Sequence, residues 1–300
     1  MGLQFAKRNS LLKDEILDFY IPNPSCLPGI CTGATELCIK YCYGNGVFRH
    51  SNNPDKRKLS TEVIALENYE ITQSDTFIEQ MCELIKEVSE KRKKNNRPLK
   101  YIRIHSIGDF YDYAYFLKWI EIINTNKDID FIAYVKNFNV LKEYKETGED
   151  VPKNFKVLLS FYPDTYDRYE KEGGKAYVDK LFEELIEYFH AKKYIVCSRE
   201  FFLMEIKKKN TDKLFCNSGT KMLCFQYKLT KKEYGNSFVP GEGCDKCQKC
   251  YSDKRCPAGC SIYAVLRASG NLANINRFLK LKDNKYKYSE LRKMYEQKEI

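Results

Sequence analysis

Apolar positions recur at helical spacing along one face of SDTFIEQMCELIKEVSEKRK (74–93), at Phe77, Ile78, Met81, Leu84, Ile85 and Val88. Thr76 and Glu79 stand where a capping box would open that helix. Helical spacing returns in YAYFLKWIEIINTN (113–126), more weakly in VLKEYKE (140–146), and strongly in GKAYVDKLFEELIEYFHAK (174–192). Between these segments lie short β-rich runs: KYIRIHSIGD (100–109), DFIAYVKN (130–137), FKVLLSFYP (155–163) and KYIVCSRE (193–200). ILDFYIP (16–22) reads as an earlier strand and KMLCFQY (221–227) as a later one, and SIYAVLRAS (261–269) reads as a short helix.

Short strands alternating with helices predict a parallel sheet built from βαβ units. No glycine-rich phosphate loop follows the first strand. The pattern therefore suits an α/β fold of the partial (β/α)6-type parallel barrel, with a doubly wound sheet as the competing arrangement. In either, functional residues gather where strands end. That singles out His105, Ser106 and Asp109, then Lys136 with Asn137, Ser160, and Cys197 with Arg199. From about residue 211 the rhythm gives way to cysteines, glycines and turns. The expected organisation is a barrel over 1–210 carrying a cysteine loop at 26–44, a C-terminal cysteine-rich iron–sulfur module over 211–270, and a basic tail over 271–300.

Thirteen cysteines in 300 residues change the picture. The opening MGLQFAKRNSLLKDEI has no apolar core of signal-peptide length, and no run approaches the roughly 20 residues of a membrane span. A cytoplasmic protein is expected, so thiolate–metal sites are favoured over disulfides. The first cluster is Cys26-x4-Cys31-x6-Cys38-x3-Cys42. Three thiolates of one loop suit three irons of a [4Fe–4S] cubane, leaving the fourth iron open. The second is Cys244-x2-Cys247-x2-Cys250-x5-Cys256, of ferredoxin-like spacing, with Cys224 or Cys256 to complete it. Two clusters are expected, and Cys256 with Cys260 leaves room for a third; zinc is the alternative at either site.

Of the three histidines, His190 closes a helix, whereas His105 stands in RIHSIGDF beside Gly108 and Asp109. His105 is read as functional, the alternative being a packed core residue. Asp109 is read as a receptor for an ammonium or hydroxyl group, the alternative being a helix cap. Cys82 falls on the apolar face of its helix and reads as core. The formal net charge is +10, with basic runs at 87–100 and 277–299 in which acidic residues interleave. A solvated helix face explains such runs as well as a polyanion partner does.

These motifs together resemble the radical S-adenosylmethionine superfamily: a barrel, a cysteine loop after the first strand ending in Cys-Tyr, and a Gly-acid turn after the second. The resemblance implies that Cys31, Cys38 and Cys42 hold the cluster, with Tyr43 at the aromatic position. Gly108 and Asp109, with Ser106 beside them, would meet the methionine group of S-adenosylmethionine. The loop departs from the common CxxxCxxC spacing, since Asn45 stands at its third position and Cys31 supplies the ligand from upstream. CTGATELCIKYCYG, RIHSIGDFYD with Trp119 following, FIAYVKN and the terminal CxxCxxC also resemble the phage family called gene product eighty-eight. Two functions are expected. One is a radical enzyme with an auxiliary cluster, His105, Lys136 and Arg199 lining its pocket, a low-potential electron donor, and a peptide or nucleic acid among the substrates. The other is a non-enzymatic iron–sulfur or zinc protein that binds nucleic acid.

Overall fold

The computed structural model describes residues 2–6, 16–24, 26–40, 42, 44 and 61–198, together with three later strands at 221–224, 238–240 and 261–266. Eight strands form one parallel sheet: β1 (Ile16–Asp18), β2 (Tyr101–Ile104), β3 (Asp130–Val135), β4 (Phe155–Phe161), β5 (Lys192–Ser198), β6 (Lys221–Cys224), β7 (Phe238–Pro240) and β8 (Ser261–Leu266). The order is β1-β2-β3-β4-β5-β8-β6-β7, so the first five strands follow the chain and the later ones extend the sheet beyond β5. Ile16 registers with Tyr101, Tyr101 with Asp130, Phe131 with Phe155, and Leu158 with Lys192. Among the described residues the sheet has β1 and β7 at its edges.

The helices are α1 (Glu36–Lys40), α2 (Thr61–Thr72), α3 (Phe77–Lys94), α4 (Tyr113–Thr125), α5 (Phe138–Thr147), α6 (Thr165–Arg168) and α7 (Gly174–Phe189). Helix α3 buries Phe77, Met81 and Ile85, one residue per turn. Its last turn holds Lys91, Arg92, Lys93 and Lys94, where cations complement the helix dipole. No side-chain bond from Thr76 caps its start, so the expected capping box is not formed. Helix α4 is capped instead by Asp112, whose carboxylate accepts the Tyr115 amide at 2.7 Å. Left-handed residues end α5 at Gly148 and α7 at His190.

Two elements differ from the sequence pattern. Residues 261–266 form a strand, not the start of a helix, and pair in parallel with both β5 and β6. A six-residue apolar run carries no periodicity that separates a buried strand from a buried helix, and here pairing on both sides decides. Helix α2 escapes the pattern because its buried positions include Asn68 and Thr72 beside Ile64, Ala65 and Leu66. Asn68 is fully enclosed. Its Nδ2 donates to the Gln4 and Tyr20 carbonyls, and its Oδ1 accepts the Gln4 amide.

The core centres on Trp119, which is fully buried. Its ring meets Phe19 at 5.3 Å and Phe77 at 5.6 Å, both edge-on, so one side chain ties the end of β1 to α3 and α4. Asn154 closes the turns below, its Nδ2 donating to the carbonyls of Ile123, Asn126 and Ile129. Among the described residues no helix is long and apolar enough to cross a membrane. Trp119→Ala is expected to destabilise the fold by about 3–5 kcal/mol. Urea unfolding checks this, and a loss below about 1 kcal/mol would show that the aromatic cluster is not the centre of the core.

Candidate functional site

The loops that leave the carboxyl ends of β1 to β4 meet on one side of the sheet. After β1 the strand pairing continues irregularly: the Ser106 amide donates to the Phe19 carbonyl at 2.8 Å and the Ile21 amide to the Ile107 carbonyl at 3.1 Å. Gly108, at φ +96°, lies so close to Ile21 that a Cβ would stand 2.3 Å from its Cγ1. This contact brings the β2 turn against the chain that leads into the cysteine loop.

The cysteine loop is fastened to the turn after β3. A Cβ on Gly33 would stand 2.2 Å from the backbone nitrogen of Asn137, so only glycine allows the approach. Asn137 Nδ2 donates to Thr32 Oγ1 at 3.0 Å and to the Phe110 carbonyl at 2.9 Å, and Thr32 Oγ1 donates to the Tyr111 carbonyl. Arg168 reaches across from α6 to the carbonyls of Thr32 and Ala34. Helix α1 begins with two side-chain acceptors: Thr35 Oγ1 takes the Cys38 amide, and Asp164 Oδ2 takes the Leu37 amide at 2.8 Å.

Asp109 joins the two halves. Its Oδ1 accepts the Phe110 amide at 2.9 Å, and its Oδ2 accepts the amides of Lys136 and Asn137 at 2.8 and 2.9 Å. Burial raises its pKa against the opposing pull of Lys136 and these amides. The carboxylate that the sequence marks as a ligand-receiving group thus spends both oxygens on backbone, locking the turns after β2 and β3 together.

Cys31, Cys38 and Cys42 share one electrostatic neighbourhood with Asp109 and Lys136. Burial pushes the Cys38 thiol up to about 12, with Lys136 opposing, and burial followed by Asp109 holds Cys31 well above its ordinary range. For Lys136, burial works against the ammonium, but Asp109 and the three thiol groups outweigh it, and the net pKa is raised. Asn23 Nδ2 donates to Cys42 Sγ at 3.5 Å, and Tyr162 packs against Cys38, where its hydroxyl favours the thiolate. Cys26 lies elsewhere, packed with Tyr20, Ile64, Leu66 and Ile107. The described cysteines, Cys82 included, form no disulfide with one another.

Among the described residues, no three His, Cys, Asp or Glu side chains converge at the distances of one metal ion. A cubane makes a different demand, because each thiolate binds its own iron at its own corner. Three thiols from a single loop, Cys38 buried and Cys31 and Cys42 half-buried, beside the half-buried Lys136, fit that demand as a donor set. Ligation requires thiolates, so a bound cation would have to offset the burial that now keeps Cys31 and Cys38 protonated.

The remaining expected residues separate. His105, at φ +56°, turns into the aromatic core, its Nε2 at 2.8 Å from the Tyr115 hydroxyl and its ring edge-on to Phe110 at 4.7 Å. Burial, aided by Lys136, holds its pKa well below the ordinary value, so it is neutral. Ser106 and Gly108 lie in the turn between His105 and Asp109. Tyr43, Arg199, Cys244, Cys247, Cys250 and Cys256 lie outside the described residues, and for Cys224 only its backbone place at the end of β6 is described. Sequence reasoning missed Asn23, Tyr162, Asp164 and Arg168 as partners of the loop. Isolated polar residues at strand ends carry no spacing signal, although Asn23 directly follows one predicted strand (16–22) and Tyr162 lies at the end of another (155–163).

These features define a parallel α/β protein with a thiol-bearing loop clamped at the carboxyl ends of its first four strands. The chain belongs to the family described as Gene product 88, which it matches over residues 6–253. It is 27% identical over 165 residues to the Gene 88 protein of Mycobacterium phage D29 and 28% identical over 158 residues to that of Mycobacterium phage L5. Each match takes in 51% of this chain and 62% of the relative, so the chain spans less than two thirds of these curated relatives. No solved structure matches it.

Two consequences are measurable. Asp109→Asn places an amide donor against backbone donors and should cost about 1–3 kcal/mol in denaturant unfolding. An unchanged midpoint would show that the Asp109 clamp does not hold the turns. Because the folded pKa of His105 lies below its unfolded value of 6.5, the unfolded chain takes up the proton first. The His105 contribution is therefore full above pH 6.5 and declines as pH falls below it, by up to about 1.4 kcal/mol per pH unit. Asn tolerates the left-handed backbone, so His105→Asn should remove this slope between pH 6.5 and 5. An identical slope in the variant would place His105 in a solvated site.

Proposed function

We propose that the chain is a radical S-adenosylmethionine-type iron–sulfur enzyme in which Cys31, Cys38 and Cys42 hold a [4Fe–4S] cluster. The observation that carries this reading is that these three thiols, and not Cys26, share the electrostatic surroundings of the half-buried Lys136 ammonium where the strands end. Such a cluster, when bound, would offer an open iron to S-adenosylmethionine and would supply the electron for its reductive cleavage.

The chain's own residues do the rest. Burial of Cys31 and Cys38 keeps water from the loop, and the Lys136 ammonium offsets the negative charge of the thiolates. Asp109 holds the turns rigid through three backbone amides, so the positions at Ser106, Gly108 and Asp109 keep a fixed shape toward the methionine group. On this reading the sheet is the wall of a partial (β/α)6 barrel, with Arg199 among the residues lining its pocket. Cys244, Cys247, Cys250 and Cys224 or Cys256 form an auxiliary cluster in a C-terminal module. A low-potential electron donor is required, in a reducing compartment such as the cytoplasm, and a peptide or nucleic acid is the substrate class proposed.

Anaerobically reconstituted, dithionite-reduced protein should give an iron–sulfur paramagnetic resonance signal that shifts when S-adenosylmethionine is added. Cys31→Ala should abolish the shift. A signal indifferent to S-adenosylmethionine would leave an electron-transfer or structural iron–sulfur protein. Uptake of zinc in place of iron would leave the nucleic-acid-binding alternative.

A further inference from the structure

Two polar side chains from outside the cysteine loop lie against two of its sulfurs. Tyr162, just past β4, packs with Cys38 and Val196 in a small buried cluster of their own. Asn23, completely enclosed after β1, sends Nδ2 to Cys42 Sγ at 3.5 Å and keeps its Oδ1 for the Cys26 amide at 3.2 Å. That second bond orients the amide group, since Oδ1 faces a donor and Nδ2 is left for the sulfur. Cys31 packs instead against the main hydrophobic core, so Asn23 and Tyr162 treat the sulfurs of one loop differently.

A donor aimed at a thiolate withdraws electron density from the sulfur and stabilises the more negative, reduced state of the metal it binds. Resting on the cluster reading above, we infer that Tyr162 and Asn23 are positioning residues that raise the reduction potential of the N-terminal cluster by hydrogen bonding to Cys38 and Cys42. The burial of both donors makes the bonds stronger than they would be in water. Their placement on the strands' own exits, β1 for Asn23 and β4 for Tyr162, fixes them independently of the cysteine loop. The two side chains act through different thiols, Cys42 and Cys38, so their effects should combine when both are removed.

The test is a redox titration of the full chain after anaerobic iron reconstitution, following the paramagnetic signal that Cys31→Ala abolishes. Tyr162→Phe removes only the hydroxyl, and Asn23→Leu removes the amide at similar volume. Each should shift the potential to a more negative value, and the double variant should shift it further. Tyr166→Phe, whose hydroxyl bonds Asp179 at 3.2 Å away from the thiols, should titrate as wild type. Iron-loaded Tyr162→Phe and Asn23→Leu proteins that both titrate at the wild-type potential would overturn the inference and leave the cluster reading standing. Loss of iron from both variants would assign the side chains to loop structure and would also overturn it. Failure of the wild-type loop itself to take up iron would overturn the cluster reading first.

Discussion

The carboxylate of Asp109 is the joint on which the site depends. It receives amides from its own turn and from the turn after β3, and the second of those turns is the surface on which the cysteine loop lies. Asn137 is fixed at its backbone by Asp109 and at its side chain by Thr32 and Phe110, which ties Thr32, next to Cys31, to the turn after β3. Gly33 makes the contact close and Arg168 closes it from the far side. A loop of small residues with little core of its own acquires a single conformation in this way, from partners that belong to the sheet.

The charge arrangement follows from the same packing. A buried carboxylate raised in pKa, a half-buried ammonium and the buried Cys38 thiol are each costly alone, and their proximity is what makes them tolerable together. Lys136 opposes the burial that raises Cys31, Cys38 and Asp109 alike. Such a concentration of shifted groups at strand ends is a mark of a functional site in parallel α/β folds. The neutral His105 belongs to a different environment, the aromatic core around Trp119, and contributes there through shape and its bond to Tyr115.

Much of this was legible in the sequence. The faces of α3 and α7 follow their apolar spacing, and β1 to β5 fall where short apolar runs alternate with helices. Membership of the Gene product 88 family accords with the motifs around the cysteine loop and the RIHSIGDFYD turn. Strand β8 was misread because a short apolar run is the same in a buried helix, and α2 was passed over because Asn68 and Thr72 interrupt its stripe. The spacing of Cys31, Cys38 and Cys42 pointed to one site. It could not show that Asp109 serves backbone amides or that Tyr162 and Asn23 end on sulfur, because such roles depend on where distant loops meet.

The central claim is that the thiol loop carries a cluster whose open iron takes S-adenosylmethionine. Electron–nuclear double resonance on the reduced, iron-loaded chain, with S-adenosylmethionine labelled at its amino nitrogen and carboxylate carbon, tests it most directly. The account predicts hyperfine coupling of both labels to the cluster, lost in Cys38→Ala. A reduced cluster with no coupling to either label would contradict it.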